Sequence, residues 1–169
     1  MLFFASEDCR QPDISDKVNA DEACIVTDLL RRIHRFTAEC FDPDKTVGVI
    51  VPYRNQIAMI RQEIEKLDIS ALENISIDTV ERYQGSQRDI IIYSLTIQQR
   101  YQLNFLTANT FEENGHWIDR KLNVAMTRAR KQLILTGNLK VLSHSPIFKQ
   151  LLDYYKEGKG CLSSYKNVK

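Results

Sequence analysis

The sequence lacks long hydrophobic runs, and its longest wholly apolar stretches are only a few residues, as at 49–51 and 90–92. A helix that spans a membrane needs about 20 consecutive apolar residues, so we exclude a membrane protein. The first residues, MLFFASED, have no basic group before the apolar stretch and soon become acidic. We therefore expect no secretory signal at this end.

Cysteine and histidine are sparse and scattered. The four cysteines contain no C-x-x-C pair, and the three histidines are not at ligand spacing; they are Cys9, Cys24, Cys40, Cys161, His34, His116 and His144. This pattern argues against a zinc site or a disulfide framework. It predicts reduced thiols in a cytoplasmic protein, with no bound metal of its own.

Net charge is also small, because 23 basic side chains stand against 22 acidic ones. The charges are unevenly distributed: residues 1–118 carry 12 basic and 19 acidic groups, and residues 119–169 carry 11 basic and 3 acidic groups. Such asymmetry can indicate contact with nucleic acid or phosphate. A lysine-rich tail that only improves solubility explains the same numbers, and both interpretations stay open.

The hydrophobic pattern predicts alternating helices and strands. Residues 22–36 place Val26, Leu29, Leu30 and Ile33 on one helical face. Residues 46–52 are apolar on both faces and β-branched, as in a buried parallel strand. Further strands are predicted at 2–5, 75–80, 89–96 and 131–136, further helices at 55–67, 119–130 and 145–158, and a loop at 98–117.

This alternation predicts an α/β fold with a mainly parallel sheet flanked by helices. We expect a single domain over residues 1–169, structured to about residue 158, with a basic tail at 159–169. Ligands of such sheets bind beyond the carboxyl ends of the strands, so we expect the candidate sites in three polar clusters at strand exits.

The first cluster, Pro52-Tyr53-Arg54, comes between a strand and a helix. Free backbone N–H groups at a helix start can bind an anion. A plain turn with a helix cap explains the same residues equally well.

The second cluster lies between two predicted strands and contains Gln84, Gly85 and Gln87. Gly85 permits close approach of the backbone to a phosphate, and the glutamines supply adaptable hydrogen-bonding groups. A hairpin-like turn between the strands, with no further role, is the alternative.

The third cluster is the predicted helix from Arg120 to Arg130, with an apolar stripe at Leu122, Ala125, Met126 and Ala129. A tightly packed stripe would hold the arginines in place, and rigid guanidinium groups suit phosphoryl transfer. A solvated basic helix face is the alternative.

Taken together, three strings resemble the C-terminal half of superfamily 1 helicases: TVGVIVPYRNQ, ISIDTVERYQGSQRDIIIYS and RKLNVAMTRARKQLILTGN. The branch is the one that contains the nonsense-mediated-decay RNA helicase and the eukaryotic DNA-replication helicase–nuclease. The upstream NADEACIVTDLL is similar to the same family. The resemblance implies a RecA-like second lobe of a P-loop NTPase, partnered by an N-terminal RecA-like lobe of the same polypeptide.

The resemblance also implies roles for individual residues. Arg128 would be the arginine finger that reaches the γ-phosphate of ATP on the other lobe, and Gln84 and Gly85 would line the same cleft. Gln87 stands where the family usually has a glutamate that contacts the nucleotide, and Arg130 would brace the cleft.

On the other side of the lobe, the resemblance implies a track for single-stranded DNA or RNA. Its residues would be Pro52, Tyr53, Arg54, Asp78 and Thr79, with a hydroxyl from Thr79 and a stacking surface from Tyr53.

The sequence contains no G-x-x-x-x-G-K-[ST] phosphate loop, and the family's acidic magnesium motif is also missing. ATP and Mg²⁺ would therefore bind mainly to the other lobe, and we expect this chain alone neither to hydrolyse ATP nor to unwind duplexes. The chain would be a piece of a longer helicase. The alternative is a stand-alone, catalytically inert α/β module that binds protein or single strands.

Overall fold

The computed structural model describes residues 1–6, 15, 17–83, 86–159 and 161–164. The strands in chain order are β1 (Leu2–Ser6), β2 (Val47–Val51), β3 (Ser76–Thr79), β4 (Arg88–Ser94), β5 (Thr110–Glu113), β6 (His116–Asp119), β7 (Ala129–Asn138) and β8 (Cys161–Ser164). The helices are α1 (Ala20–Thr37), α2 (Arg54–Glu65), α3 (Ser70–Glu73), α4 (Gln102–Leu106), α5 (Arg120–Arg128), α6 (Leu139–Leu142) and α7 (Pro146–Tyr154), followed by a π-helical turn (Tyr155–Lys159).

Six strands form one parallel sheet in the order β3-β2-β4-β7-β1-β8. All five residues of β2 are buried, as its two-sided apolar sequence requires. Helices α1, α2 and α3 cover one face of the sheet, and α4 to α7 cover the other, each through its own apolar core. The predicted α/β RecA-like fold, with a parallel sheet between two layers of helices, is confirmed.

Strands β3 and β4 are connected by a crossover and not by a hairpin. Strands β3 and β4 both run parallel to β2 and lie on either side of it, so the chain must return from the carboxyl end of β3 to the amino end of β4. On the way it buries Tyr83, whose hydroxyl lies 1.7 Å from where a Cβ on Gly48 would stand. The hairpin-like alternative is therefore wrong, and Gly48 provides the space for the crossover.

The predicted loop at 98–117 is also wrong. It contains α4 and an antiparallel hairpin, β5–β6, whose turn is Asn114-Gly115. Both turn residues have positive φ, 53° and 77°, and Asn-Gly is the dipeptide that best tolerates this geometry.

The C-terminal part adds one more strand. Helix α7 begins at Pro146 after Ser145, as predicted. Strand β8 then pairs in parallel with β1, within the segment that we expected to be a basic tail. Among the described residues, no helix has the length and apolar character to cross a membrane.

Candidate functional site at the two ends of the sheet

At the amino end of the sheet, two strings that resemble helicase motifs meet. Strands β4 and β7 are neighbours, and Arg88 pairs with Ala129 at their first residues. The Gln87 side-chain amide donates a hydrogen bond to the backbone oxygen of Thr127, at 3.3 Å. Residues that are 40 positions apart in sequence are thus in direct contact at one end of the sheet.

Arg128 is the last residue of α5 and is partly buried. Its Nε atom is inaccessible to solvent and has no hydrogen-bond partner among the described residues. A buried donor without a partner costs about 1–3 kcal/mol.

Further cations surround this end of the sheet. The Arg88 side chain is only 13% exposed; its Nη1 donates to the Gln87 backbone oxygen at 3.0 Å, and its Nη2 lies 4.0 Å from Asp44. Arg130 is exposed and belongs to β7, not to the helix that was predicted to extend this far. Lys131 pairs with Asp89 at 2.7 Å. We call Arg128 and these surrounding charged residues, Asp44, Arg88, Asp89, Arg130 and Lys131, the amino-end cluster.

Beside the amino-end cluster, the surface is apolar. The predicted stripe of α5 is only partly buried: Leu122 and Ala125 are in the core, whereas Met126 is 40% exposed. Helix α5 ends at Arg128, so Ala129 starts β7 and does not continue the stripe. Met126 lines a shallow cleft of about 200 Å³ with Met1, Ala129, Lys131, Gln132 and Leu133.

Two of the predicted nucleotide-binding residues, Gln84 and Gly85, lie outside the described residues. Gln87, Arg128 and Arg130 lie at the amino end, at the start of β4 and at the junction between α5 and β7. The expectation that all three clusters lie beyond the carboxyl ends of the strands is therefore wrong for these residues, because they lie at the starts of β4 and β7 and not beyond the end of a strand of the sheet.

At the opposite, carboxyl end of the sheet, an open cleft of about 740 Å³ lies between the ends of β2 and β3 and helix α4. We call it the carboxyl-end cleft. Its lining residues are Lys17, Pro52, Tyr53, Arg54, Asn55, Thr79, Glu81, Arg82, Tyr101, Gln102 and Phe105. Four of the five predicted nucleic-acid residues are among them. The fifth, Asp78, is not: its carboxylate accepts a hydrogen bond from the Thr79 backbone N–H at 2.9 Å and lies 3.5 Å from Arg82.

Tyr101, directly before α4, and Phe105, within α4, are aromatic residues of the cleft that were not predicted from the sequence. The Phe105 and Tyr53 rings stack with centroids 4.9 Å apart and planes at 20°. Tyr101 and Phe105 line the carboxyl-end cleft and remain 56% and 44% exposed. Their i, i+4 spacing is compatible with one side of a helix, but a single pair in so short an element does not establish a helical period.

Glu22 is a fully buried carboxylate near this end of the sheet. One of its oxygens accepts hydrogen bonds from the Ser94 hydroxyl (2.7 Å), the Thr96 backbone N–H (3.0 Å) and the Thr136 hydroxyl (3.0 Å). Burial raises the pKa of Glu22 to about 7, although these hydrogen bonds favour the ionised form. Thr96 has a positive φ of 54°, an unusual value for a β-branched residue, so Glu22 stabilises a strained turn just before α4.

Helix α5 connects the two ends. Its first turn lies near the carboxyl-end cleft, where the buried Lys121 ammonium donates to the Phe105 backbone oxygen at 3.2 Å and lies 3.9 Å from the centre of the Phe105 ring. The same ammonium is 3.6 Å from Glu81. Its last residue is Arg128. A nine-residue helix is about 13 Å long, so one rigid element joins the cleft wall to the amino-end cluster.

Comparison with known proteins adds an independent observation. A family model described as an AAA domain matches residues 1–140. The chain is 34% identical over 130 residues to the DNA polymerase alpha-associated DNA helicase A of Saccharomyces cerevisiae, covering 76% of this chain and 17% of that protein. It is 36% identical over 114 residues to regulator of nonsense transcripts 1 of Dictyostelium discoideum, covering 65% and 8%.

A third relative is the DNA replication ATP-dependent helicase/nuclease JHS1 of Arabidopsis thaliana, 29% identical over 145 residues, with 86% of this chain and 10% of that protein covered. The chain thus spans less than a fifth of the length of each of these relatives.

Proposed function

Since the chain belongs to the AAA-domain helicases of superfamily 1, we propose that it is the second motor lobe of an ATP-dependent DNA or RNA helicase or translocase. The observation that carries this proposal is the division of its polar residues between the two ends of one sheet. The amino-end cluster would face ATP, and the carboxyl-end cleft would hold part of the single strand. Strand β4, seven residues long, separates the two by about 20 Å.

The amino-end cluster fits a triphosphate. Arg128 is partly buried at the end of α5, and the neighbouring Arg88 and the exposed Arg130 add positive charge. Hydrolysis of bound ATP would supply the free energy for movement along the strand. The role of Arg128 in this proposal is to donate hydrogen bonds and charge to the γ-phosphate as negative charge shifts in the transition state. Gln87 would contact the same nucleotide through its amide, and Arg130 would brace this end.

ATP and Mg²⁺ would be held mainly by an N-terminal RecA-like lobe of the same polypeptide, because the sequence has no phosphate loop. The exposed Met126 and its apolar neighbours, beside Arg128, support contact with such a lobe. The isolated chain would then be inactive in hydrolysis and unwinding. The exposed free thiols Cys24 and Cys40 suit a reducing compartment, so we place the protein in the cytoplasm.

At the carboxyl-end cleft, Pro52, Tyr53, Arg54 and Thr79 would contact the single strand, with Asp78 fixing the end of β3 through Thr79. Arginine and hydroxyl groups bind phosphate oxygens without reading sequence. The proposed track therefore binds strands with little sequence preference.

A comparison of the 169-residue chain with the two-lobe protein tests this function. We expect the chain alone to bind single-stranded oligonucleotides with an affinity that falls as salt rises, because phosphate contacts release counterions. We expect it to show no ATP hydrolysis, whereas the two-lobe protein hydrolyses ATP faster when a single strand is present.

Two outcomes contradict the proposal. Hydrolysis by the 169-residue chain, lost on Arg128→Ala, would show that the catalytic site is complete without a second lobe. Strand binding by a two-lobe protein that hydrolyses no ATP would favour the alternative of a non-catalytic single-strand-binding module.

A further inference from the structure

A side chain from outside helix α5 contacts its last turn. The Gln87 amide Nε2 donates a hydrogen bond to the backbone oxygen of Thr127 at 3.3 Å. Thr127 directly precedes Arg128, and both residues belong to the last turn of α5. Gln87 directly precedes β4, so this contact joins the start of a strand to the helix that carries Arg128.

The last turn of α5 has no glycine to end it. The final carbonyl groups of a helix have no partner within the helix, and many helices satisfy them through a glycine in the left-handed conformation. Helix α5 instead continues directly into β7, with Ala129 in an extended conformation at φ −85° and ψ 117°. The Ala129 N–H donates to the Met126 oxygen, and the Gln87 amide donates to the Thr127 oxygen. Gln87 therefore acts as a side-chain cap at the carboxyl end of α5.

The backbone of Gln87 is fixed at the position from which its side chain reaches α5. Its oxygen accepts a hydrogen bond from the Nη1 of Arg88 at 3.0 Å. Arg88 is the first residue of β4, its side chain is largely buried, and it pairs with Ala129 at the start of β7. The contact thus connects two backbone segments that the sheet already holds next to each other, and it depends on the Gln87 side chain.

The contact also requires a hydrogen on the side chain at position 87. A glutamine amide carries two hydrogens and an acceptor oxygen, whereas an ionised carboxylate can only accept. The glutamate that the family usually has at this position would not donate to the Thr127 oxygen. Because one amide hydrogen is used in the cap, the other hydrogen and Oε1 remain for a contact with the nucleotide.

We propose that Gln87 is a positioning residue for Arg128, because it caps the last turn of α5 and so fixes the backbone from which the Arg128 guanidinium extends. This inference rests on the proposed function, in which Arg128 acts on the γ-phosphate. A group displaced by about 1 Å from its productive position contributes much less to turnover. Loss of the cap therefore lowers the rate of hydrolysis through Arg128, whereas loss of a direct contact between Gln87 and ATP does not depend on Arg128.

The test is a double-mutant cycle in the two-lobe protein, with kcat measured at saturating ATP in the presence of a single strand. Gln87→Met keeps the length of the side chain and removes its donor without adding charge. Gln87 is exposed, and one hydrogen bond at such a position contributes modestly, so we expect kcat to fall by about 2- to 13-fold. In the Arg128→Ala background, the same substitution should cause no further loss, because no guanidinium remains to be positioned.

Two further variants separate the cap from damage to the fold. Gln87→Lys retains a donor, which suits the carboxyl end of a helix, and should keep kcat above that of Gln87→Met. Gln62→Met is the matched control, because Gln62 is an exposed glutamine on α2, and it should leave kcat unchanged. General damage to the fold would lower kcat by the same factor with and without Arg128. A Gln87→Lys variant no more active than Gln87→Met would contradict the role of the donor.

The outcomes separate this inference from the proposed function. If Gln87→Met lowers kcat equally with and without Arg128, Gln87 does not act through Arg128 and the positioning proposal is wrong. If Gln87→Met leaves kcat unchanged while Arg128→Ala lowers it, the proposed role of Arg128 stands and the positioning proposal is again wrong. If Arg128→Ala itself leaves kcat unchanged, the proposed function of Arg128 and the inference fail together.

Discussion

At the scale of single residues, the buried carboxyl group of Glu22 makes the stability of the fold depend on pH. Its pKa is raised from 4.5 to about 7 by burial, so the folded state retains a proton that the unfolded state releases between these values. The resulting stabilisation of the folded state is fully present below pH 4.5 and is lost as pH rises through about 7. Between pH 5 and pH 8, the loss from this group amounts to roughly 2–3 kcal/mol.

We predict that Glu22→Gln removes this pH dependence. The measurement is the free energy of unfolding in urea at several values between pH 5 and pH 8. The free energy of unfolding of the unmodified chain, taken relative to that of the variant, should fall by roughly 2–3 kcal/mol from pH 5 to pH 8, because only the unmodified chain must bury a charge. A difference that stays constant over this range would show that Glu22 has the same ionisation in both states.

Substitution of Gly48 tests how closely the crossover between β3 and β4 packs against the sheet. A methyl group on Gly48 would overlap the Tyr83 hydroxyl, which is 1.7 Å from the Cβ position. We predict that Gly48→Ala lowers the free energy of unfolding by about 1–3 kcal/mol, as overpacking does in other cores. Combination with Tyr83→Phe should recover part of the loss, since the ring carbon at 2.9 Å remains. An alanine with no effect on stability would contradict this packing.

At the scale of elements, α5 determines where Arg128 lies. Asp119 caps this helix, because its Oδ1 accepts a hydrogen bond from the Leu122 backbone N–H at 2.7 Å. We predict that Asp119→Ala costs about 1 kcal/mol in the free energy of unfolding. Asp119→Asn should cost much less, because asparagine caps helices equally well. Equal losses in the two variants, measured by urea unfolding, would show that the carboxylate acts through its charge and not as a cap.

The elements also show what could be predicted from the sequence. Helix α1 and strand β2 were predicted almost to the residue, because each is long enough or apolar enough to show its period. Helix α4 has only five residues, fewer than two turns, so no helical period could appear. The β5–β6 hairpin was missed although Asn114-Gly115 is a strong hairpin signal.

The candidate site was predicted only in part, because some of its residues lie on or beside an element that is too short to show a period. Tyr53 and Arg54 follow a strand that could be recognised, and the structure places both in the carboxyl-end cleft. Tyr101 and Phe105 depend on α4, which had no sequence period. The connection between β3 and β4 could not be identified as a crossover, because neither composition nor spacing reveals that β2 lies between these strands.

At the scale of the whole molecule, the parallel sheet separates the amino-end cluster from the carboxyl-end cleft. All six strands run in one direction, so the start of β4 and the end of α5 meet at one end, and the ends of β2 and β3 meet at the other. Helix α5 reaches both ends of the sheet, through Lys121 at the carboxyl end and Arg128 at the amino end. The net charge of +1 is thus compatible with a nucleic-acid partner, because local clusters and not the total face the proposed ligands.

The most direct test of the proposed second-lobe function is the rate of ATP hydrolysis by the two-lobe protein with Arg128→Ala, measured together with its affinity for ATP. A finger that acts in the transition state contributes about 10³- to 10⁵-fold to turnover and little to ground-state binding. We therefore predict a loss in kcat of at least about a thousandfold, with the dissociation constant for ATP changed by less than about threefold.

Arg120→Ala is the matched control: Arg120 lies on the same helix, over the Phe111 ring at 5.0 Å, at the end away from the amino-end cluster, and its loss should leave kcat nearly unchanged. An unchanged kcat in Arg128→Ala, or equal losses in turnover and in ATP affinity, would contradict the assignment of Arg128 as the arginine finger.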